Sequence, residues 1–351
     1  MTELLPATPE NIAIAAGILR DGGLVAFPTE TVYGLGANAL NVEAVERIFR
    51  AKRRPTADPL IVHLSELFQI DQVASVVSSL AQLLATTFWP GPLTLILPKR
   101  TKVPDLVTSG LQSVAVRIPD HPVALHLIAK SGVPVAAPSA NLFGHTSPTT
   151  AQHVWQDLAG QVDVILDAGE TSIGVESTVL DLSTNPARIL RPGGVTHEML
   201  ESLIGPVTLI EQMRKPEKGL PSPGLLERHY SPRARMVFFK NKNAKQALLA
   251  YCLAENAAGK KVGALVMDDD VPECEQAGAT AYALGSTLDT VARRVYSGMR
   301  WLDEQGVGII LAGSIGESGL GLAIRDRLMR AASVVIGEED QGKYDISPRR
   351  N

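Results

Sequence analysis

Four stretches of the chain bring hydroxyls, glycine turns and cations close together. The first is PTETVYGLG, Pro28 to Gly36, followed downstream by Arg50, Lys52, Arg53 and Arg54 and then by His63. The second is SVAVRI, Ser113 to Ile118, where strand alternation puts Ser113, Ala115 and Arg117 on one face. The third is PSAN, Pro138 to Asn141, with Ser147 beyond it. The fourth joins GVEST, Gly174 to Thr178, to LRPGG, Leu190 to Gly194, in which Arg191 precedes a glycine turn. Cationic side chains beside hydroxyls and loop amides suit the binding of phosphates and other anions. Each stretch also has an ordinary explanation. Cations at a helix C-terminus are favoured by the dipole, and Ser147 can simply cap a helix. A buried Arg117 needs an anionic partner, which can be structural or a ligand. A lone residue such as His63 is more often structural than catalytic. Their joint placement favours a site.

The chemistry implied is anion and small-polar-group binding, with catalysis by positioning and electrostatics rather than by a nucleophile. The sequence holds no GxSxG elbow, no HExxH and no GxxxxGK[ST] loop. Its two cysteines, Cys252 and Cys274, have neither CxxC spacing nor a nearby His pair. Gly319-x-Gly321 invites a dinucleotide fingerprint, but Ile324 stands where the third glycine belongs.

The elements that must position these residues can be read from periodicity. Leu24 to Phe27 predicts a buried strand ended by Pro28, then a polar turn over Thr29-Glu30-Thr31. Tyr33, Gly34 and Gly36 predict a loop in which backbone can approach a ligand. Asn41 is the expected N-cap of a helix to Lys52, stopped by Pro55, and Leu60 to Leu64 the next strand. Arg54 is then expected in a solvated cleft, adding little to the core. Strands are predicted near Leu93 to Leu97, Ser113 to Ile118, Pro134 to Ala137, Val162 to Leu166, Ser177 to Leu182 and Arg188 to Leu190. Helices are predicted after Thr8, over Ser79 to Phe88 and His121 to Lys130, from Ser147-Pro148 to near Gly160, and from Thr196 to Ile204.

A first domain over 1–205 is thus expected, followed by a proline-rich linker over 206–235. That linker carries PSPGLLERHYSP, with His229 beside Tyr230, and is either a tether or an ordered, functional segment. Over 236–351, strands at Met236 to Phe239, Val262 to Met267 and Gly308 to Ala312 alternate with helices. Those helices are Ala244 to Ala257, Thr287 to Asp303 and Gly321 to Ala332, which predicts a small Rossmann-like parallel α/β sheet.

At 351 residues, two domains are the natural expectation. A formal net charge of −4 argues against a generally basic nucleic-acid coat, though not against a local basic cleft. The start, MTELLPATPE, has no secretory pattern, and no apolar run reaches the length of a membrane span. Together with the unpaired cysteines this predicts a cytoplasmic protein.

Taken in order, FPTETVYGLG, the K-x-R-P at Lys52 to Pro55, PLIVH, FWPGPLTLIL, VAVRIP, APSAN, GVEST and LRPG resemble the YrdC-like domain. With PGLLERHYSP and the Rossmann-like tail, the whole chain resembles the long, two-domain threonylcarbamoyl-AMP synthase family. The resemblance implies an open, twisted α/β sheet with a concave cationic cavity in the first domain. It implies condensation of L-threonine, bicarbonate and ATP, with Mg2+, to threonylcarbamoyl-AMP and pyrophosphate. The product would pass to a tRNA threonylcarbamoyl transferase complex, for N6-threonylcarbamoyladenosine, with a tRNA contact an open possibility. Carried over by motif, Thr31, His63, Arg117, Ala137 and Ser177 would surround threonine, with Arg117 clamping its carboxylate bidentately. Lys52, Arg54, Asp58, Ser113, Ser139, Asn141, Ser147, Arg191 and Tyr230 would surround the nucleotide, with Lys52 and Arg54 catalytic and Tyr230 on a lid. The family usually has Asn where this chain has Asp58. A carboxylate there repels phosphates unless it helps hold magnesium.

Two rival functions remain on the sequence. Hydrogenase-maturation carbamoyltransferases also use a YrdC-like domain, but they carry zinc-finger cysteines and an acylphosphatase module that this chain lacks. A non-enzymatic RNA-binding protein could use the same cations, against which stand the overall acidity and the absence of interleaved aromatics.

Overall fold

The computed structural model describes residues 1–210, 220, 222–223, 229–240 and 244–337. Half of the expected linker or lid, 211–219, 221 and 224–228, lies outside the described residues, as do 338–351. The chain forms two compact units, Met1–Phe143 with Ser147–Leu225, and Gly144–Thr146 with Leu226–Asn351.

The described strands of the first unit are β1 (Glu3–Pro6), β2 (Val25–Phe27), β3 (Gly34–Asn38), β4 (Ile61–His63), β5 (Leu93–Pro98) and β6 (Ser113–Arg117). They continue with β7 (Val135–Ala136), β8 (Val164–Asp167), β9 (Thr178–Asp181), β10 (Ala187–Arg191) and β11 (Val207–Leu209). They join in the order β1-β8-β2-β3-β7-β4-β6-β5-β9-β10-β11, with parallel and antiparallel pairs mixed. One face packs on helices such as Val42–Lys52 and Ser79–Phe88 through Val45, Ile48, Leu84, Val62, Leu95 and Val116. The other face is covered near β2 and β8 by helices Pro9–Arg20 and Pro122–Ser131, through Leu19, Phe27, Leu127 and Leu166. Farther along, that face carries a small apolar floor of Ile61, Ile96, Ala115, Val179 and Leu190, which no helix joins among the described residues. The uncovered half of the sheet is where the site forms.

Helix Val42–Lys52 forms as its sequence predicts: Asn41 Oδ1 accepts from the Ala44 N–H, and Val45, Ile48, Phe49 and Lys52 are buried. Each fully buried apolar side chain of this kind contributes about 1.5–3 kcal/mol. The helix ends with Arg53 at φ 52°, in the left-handed region, and the Arg54 N–H bonds back to Phe49 O at 2.9 Å. This Schellman-type stop turns Arg54 inward while Arg53 stays exposed.

Several expectations fail locally. Gly34 and Gly36 lie in strand β3, antiparallel to β2, not in a loop. A Cβ on Gly36 would stand 2.8 Å from the Phe27 ring and 2.9 Å from Val135, so this glycine serves strand packing. The helix expected from Ser147 starts at Ala151, capped by Thr150. The carbonyls of Pro148 and Thr149 accept instead from Tyr33 and Thr171, which holds 147–149 out of the helix. Strand β11 pairs parallel with β10, so the first sheet runs past residue 205 into the expected linker.

The second unit contains β12 (Arg235–Phe239), β13 (Val262–Val266), β14 (Thr280–Ala283), β15 (Ile309–Gly313) and β16 (Val334–Ile336). Their order is β14-β13-β15-β12-β16, and every pair is parallel, as the βα alternation predicts. Helices Ala244–Ala257 and Val271–Gln276 pack on one face through Leu248, Cys252 and Cys274. Helices Leu288–Glu304 and Leu320–Ala331 pair with each other on the opposite face. No helix among the described residues is long and apolar enough to cross a membrane.

Candidate active site

The Thr29-Glu30-Thr31 turn after β2 is held by the Thr29 hydroxyl. It accepts from the Thr31 and Val32 N–H groups, both at 3.2 Å, and donates to Val32 O at 2.6 Å. The GVEST loop locks against it: Ile173 N–H donates to Glu30 O (2.8 Å) and Gly174 N–H to Thr31 O (3.1 Å). Arg117 ends β6 and sits in register with His63 of parallel β4. Its terminal nitrogens donate to Thr31 Oγ1 at 3.1 Å and Glu30 Oε2 at 2.9 Å, while its Nε has no hydrogen-bond partner. The bidentate clamp expected of Arg117 is therefore already occupied in this structure by Glu30 and Thr31.

Burial dominates the electrostatics here. It raises the Glu30 pKa, against the pull of Arg117. It drives His63 down to about 3, helped by the Arg117 and Arg191 charges, so the imidazole is neutral at pH 7. His63 Nδ1 lies 3.2 Å from Ile61 O, and the Ala137 N–H donates to the same carbonyl at 2.9 Å.

Arg191 closes the GVEST side. Its Nε donates to Ser177 O and a terminal nitrogen to Ser177 Oγ, both at 3.1 Å, while Ser177 Oγ lies 2.8 Å from Thr94 Oγ1. A Cβ on Gly193 would meet Glu176 O at 2.3 Å, so the LRPGG turn needs glycine to lie against GVEST. The Arg191 charge acts on His63, on Arg117 and on Asp58.

The cations after helix Val42–Lys52 do not behave as one run. Arg50 and Arg53 are exposed, whereas Lys52 and Arg54 are buried. Lys52 Nζ donates to Ser139 O and Asn141 O, each at 2.5 Å. Burial first, and the Arg54 charge second, pull the Lys52 pKa well below the ordinary lysine range. Arg54 donates to the Asp58 and Pro59 carbonyls at 3.1 and 2.8 Å and pairs with the Asp58 carboxylate at 3.0 Å. The expectation of a solvated Arg54 is overturned. Burial raises the Asp58 pKa, with Arg54 opposing it most strongly.

The remaining expected residues fall in different places. Ser139 bridges to Gly34, and Asn141 Nδ2 donates to Leu142 O at 2.8 Å. Ser113 is half-buried on the face of Ala115 and Arg117. Ser147 caps no helix; its hydroxyl donates to Glu176 Oε1 at 2.6 Å. Tyr230 belongs to the second unit, 1 % exposed at φ 62°, with Tyr296 5.7 Å from its ring and the Arg327 guanidinium 5.2 Å over it.

Sequence reasoning missed Glu30, Glu176 and Thr94. Glu30 was legible in principle, because a buried strand arginine demands an anion. Glu176 and Thr94 gave no such signal.

Among the described residues no three His, Cys, Asp or Glu side chains form a metal cluster. Magnesium held chiefly by phosphates needs only one or two carboxylates. Asp58 fits that limited role through Oδ1, which has no hydrogen-bond partner, while Oδ2 is paired with Arg54 at 3.0 Å.

Residues 17–193 match a family model described as telomere recombination, and 195–333 match the threonylcarbamoyl-AMP synthase C-terminal domain. A Pyrococcus abyssi threonylcarbamoyl-AMP synthase is 45% identical over 332 residues, spanning 93% of this chain and 95% of that one. The chain belongs to the threonylcarbamoyl-AMP synthase family. A Bacillus subtilis member of this enzyme family is 42% identical over 334 residues, or 95% of this chain and 96% of the relative. The crystal structure of P. abyssi Sua5 complexed with L-threonine superposes with a TM-score of 0.88 at 42% identity, covering 96% of this chain and 99% of that one. A variant of the same archaeal protein with an adjacent His and Tyr both replaced by alanine gives the same TM-score of 0.88 at 41% identity.

Proposed function

We propose that this chain condenses L-threonine, bicarbonate and ATP to threonylcarbamoyl-AMP and pyrophosphate. The product then serves N6-threonylcarbamoyladenosine formation in tRNA through a separate transferase complex. The observation that carries the reading is Arg191. Its guanidinium holds Ser177 of the GVEST loop, and that loop locks onto the Glu30–Thr31 turn that Arg117 joins, so a cation able to face phosphate stands beside the group assigned to threonine. The L-threonine complex of the P. abyssi relative supports the first half of that assignment.

In this reading, threonine lies near Thr31, His63, Ala137 and Ser177, with the neutral His63 ring adding no charge. Its amine takes up carbon dioxide from bicarbonate to give a carbamate, which is short-lived in water and must be shielded until it reacts. A carbamate oxygen then attacks the α-phosphorus of ATP, and pyrophosphate leaves. Lys52, Arg54 and Arg191 offset the charge that develops on the leaving group, preorganised by the carbonyls and carboxylate that hold them. Ser113, Ser139, Asn141 and Ser147 are assigned to the nucleotide, as is Tyr230 on the family pattern. Magnesium, held by Asp58 and the phosphates, would neutralise triphosphate charge.

The test is pyrophosphate release, with the product identified by mass. Release should require threonine, bicarbonate and ATP together, and serine should be poorer by the roughly 1–3 kcal/mol that a methyl pocket rewards. Turnover on carbamoyl phosphate without threonine would move the assignment to the carbamoyltransferase reaction.

A further inference from the structure

In an open parallel sheet, ligands bind beyond the carboxyl ends of strands whose onward connections leave toward opposite faces. In the second unit β13 leads to helix Val271–Gln276 on one face, and β15 leads to helix Leu320–Ala331 on the other. A cavity of about 100 Å³ lies between these two strand ends. Leu248, Met267 and Ile315 make it apolar on one side, and Lys245, Asp270 and Ser314 make it polar on the other. Ser314 Oγ is buried and has no hydrogen-bond partner. Lys245 Nζ stands 2.8 Å from Asp270 Oδ1 and 2.7 Å from Glu273 Oε1, at a rim where Lys245 is 44% exposed. Cys274 also lines the cavity, and burial pushes its thiol up to about 11, so it adds surface without charge.

The polar wall presents the Lys245 cation, the Asp270 carboxylate and the unused Ser314 hydroxyl, with Glu273 behind Lys245. Asp270 on the wall, with Glu273 also neutralising Lys245, disfavours phosphate, and a simple amine would leave Lys245 and Ser314 unused. A nucleotide is disfavoured on the same ground, because its phosphates would face Asp270. A ligand carrying both charges and a short apolar tail uses every group. We infer that the second unit binds a free α-amino acid with a short branched side chain between the ends of β13 and β15. Its carboxylate meets Lys245 and Ser314, its ammonium meets Asp270, and its side chain lies on Leu248, Met267 and Ile315.

This site is independent of the reaction assigned to the first unit, and L-valine tests it apart from that reaction. The full chain, carrying 13C-methyl methionine and isoleucine, is titrated with L-valine and L-threonine while Met267 and Ile315 are followed by NMR. Either amino acid should shift both resonances saturably at millimolar concentration. Asp270→Asn and Ser314→Ala should each weaken binding at least about tenfold, as loss of a charge-assisted hydrogen bond does. n-Butylamine and butyrate, each with one charge, should bind at least about tenfold more weakly than L-valine. An unchanged Met236 resonance, from the core of β12, reports that the variants are folded. No shift at Met267, an unweakened shift in Asp270→Asn, or a response to AMP in place of the amino acids would overturn the assignment.

Discussion

Arg117 donates to Glu30 Oε2 at 2.9 Å with both side chains nearly sealed, 3% and 4% exposed. Removing one member of a buried pair leaves the other charge uncompensated, which costs about 3–5 kcal/mol. Glu30→Ala should therefore lower unfolding stability by about that much. Glu30→Gln keeps an acceptor, so it should fold more stably than Glu30→Ala yet raise the KM for threonine, because Arg117 and Thr31 lose their fixed placement. Chemical denaturation and threonine titration measure the two effects. Wild-type stability in Glu30→Ala would remove Glu30 as the partner that fixes Arg117.

Lys52 carries a proton-linked prediction. Its pKa lies well below the ordinary range, chiefly through burial and then through Arg54. A bound triphosphate stabilises the ammonium form and raises that pKa, so ATP binding takes up a proton. Affinity is then greatest at pH below the ligand-free pKa and falls as pH rises through it. Calorimetry over a pH series, in buffers of different ionisation enthalpy, should show uptake that is absent from Lys52→Met. Equal apparent enthalpies in all buffers would contradict it.

His63 contributes to stability with the opposite dependence. Its folded pKa of about 3 lies below the ordinary value of 6.5. Between those values the unfolded chain binds the proton and the folded chain does not. The contribution is present above about pH 6.5 and is lost as pH falls toward 3. At pH 5 the loss is about 2 kcal/mol. Glu30 and Asp58 are raised and run the other way, so the wild type must be compared with His63→Gln. The acid-side slope between pH 7 and 5 should be shallower in the variant by about that amount.

Local signals account for most of what the sequence predicts. Asn41 and the periodicity of Val45, Ile48 and Phe49 predict the helix that delivers Lys52, and alternation places Ser113, Ala115 and Arg117 on one face. The rest depends on contacts far apart in the chain. Glu30 and Arg117 are 87 residues apart and Ser147 and Glu176 are 29 apart, so no window shows either pair. The split of the cation run follows from left-handed Arg53, a position where glycine is the expected residue. The glycines of β3 read as loop because their purpose, room for Phe27 and Val135, is tertiary. Strand β11 is short and acquires its identity only by pairing with β10.

Arg54 lets the structural and chemical roles of a buried cation be separated. Its guanidinium holds the Asp58 and Pro59 carbonyls and the Asp58 carboxylate, with side chains 3% and 1% exposed. Arg54→Ala should therefore destabilise the fold by about 3–5 kcal/mol, since Asp58 is left as an unpaired buried acid. Asp58→Asn should restore much of that loss in the Arg54→Ala background, because the amide carries no charge to bury. ATP turnover should not return with stability, because neither alanine nor asparagine supplies the cation proposed to face the leaving pyrophosphate. Urea unfolding of both single variants and the double variant gives the coupling energy, and pyrophosphate release on the same samples gives the chemistry. Recovery of turnover in parallel with stability would make the Arg54–Asp58 pair a structural clasp and leave Lys52 and Arg191 as the cations on the phosphates.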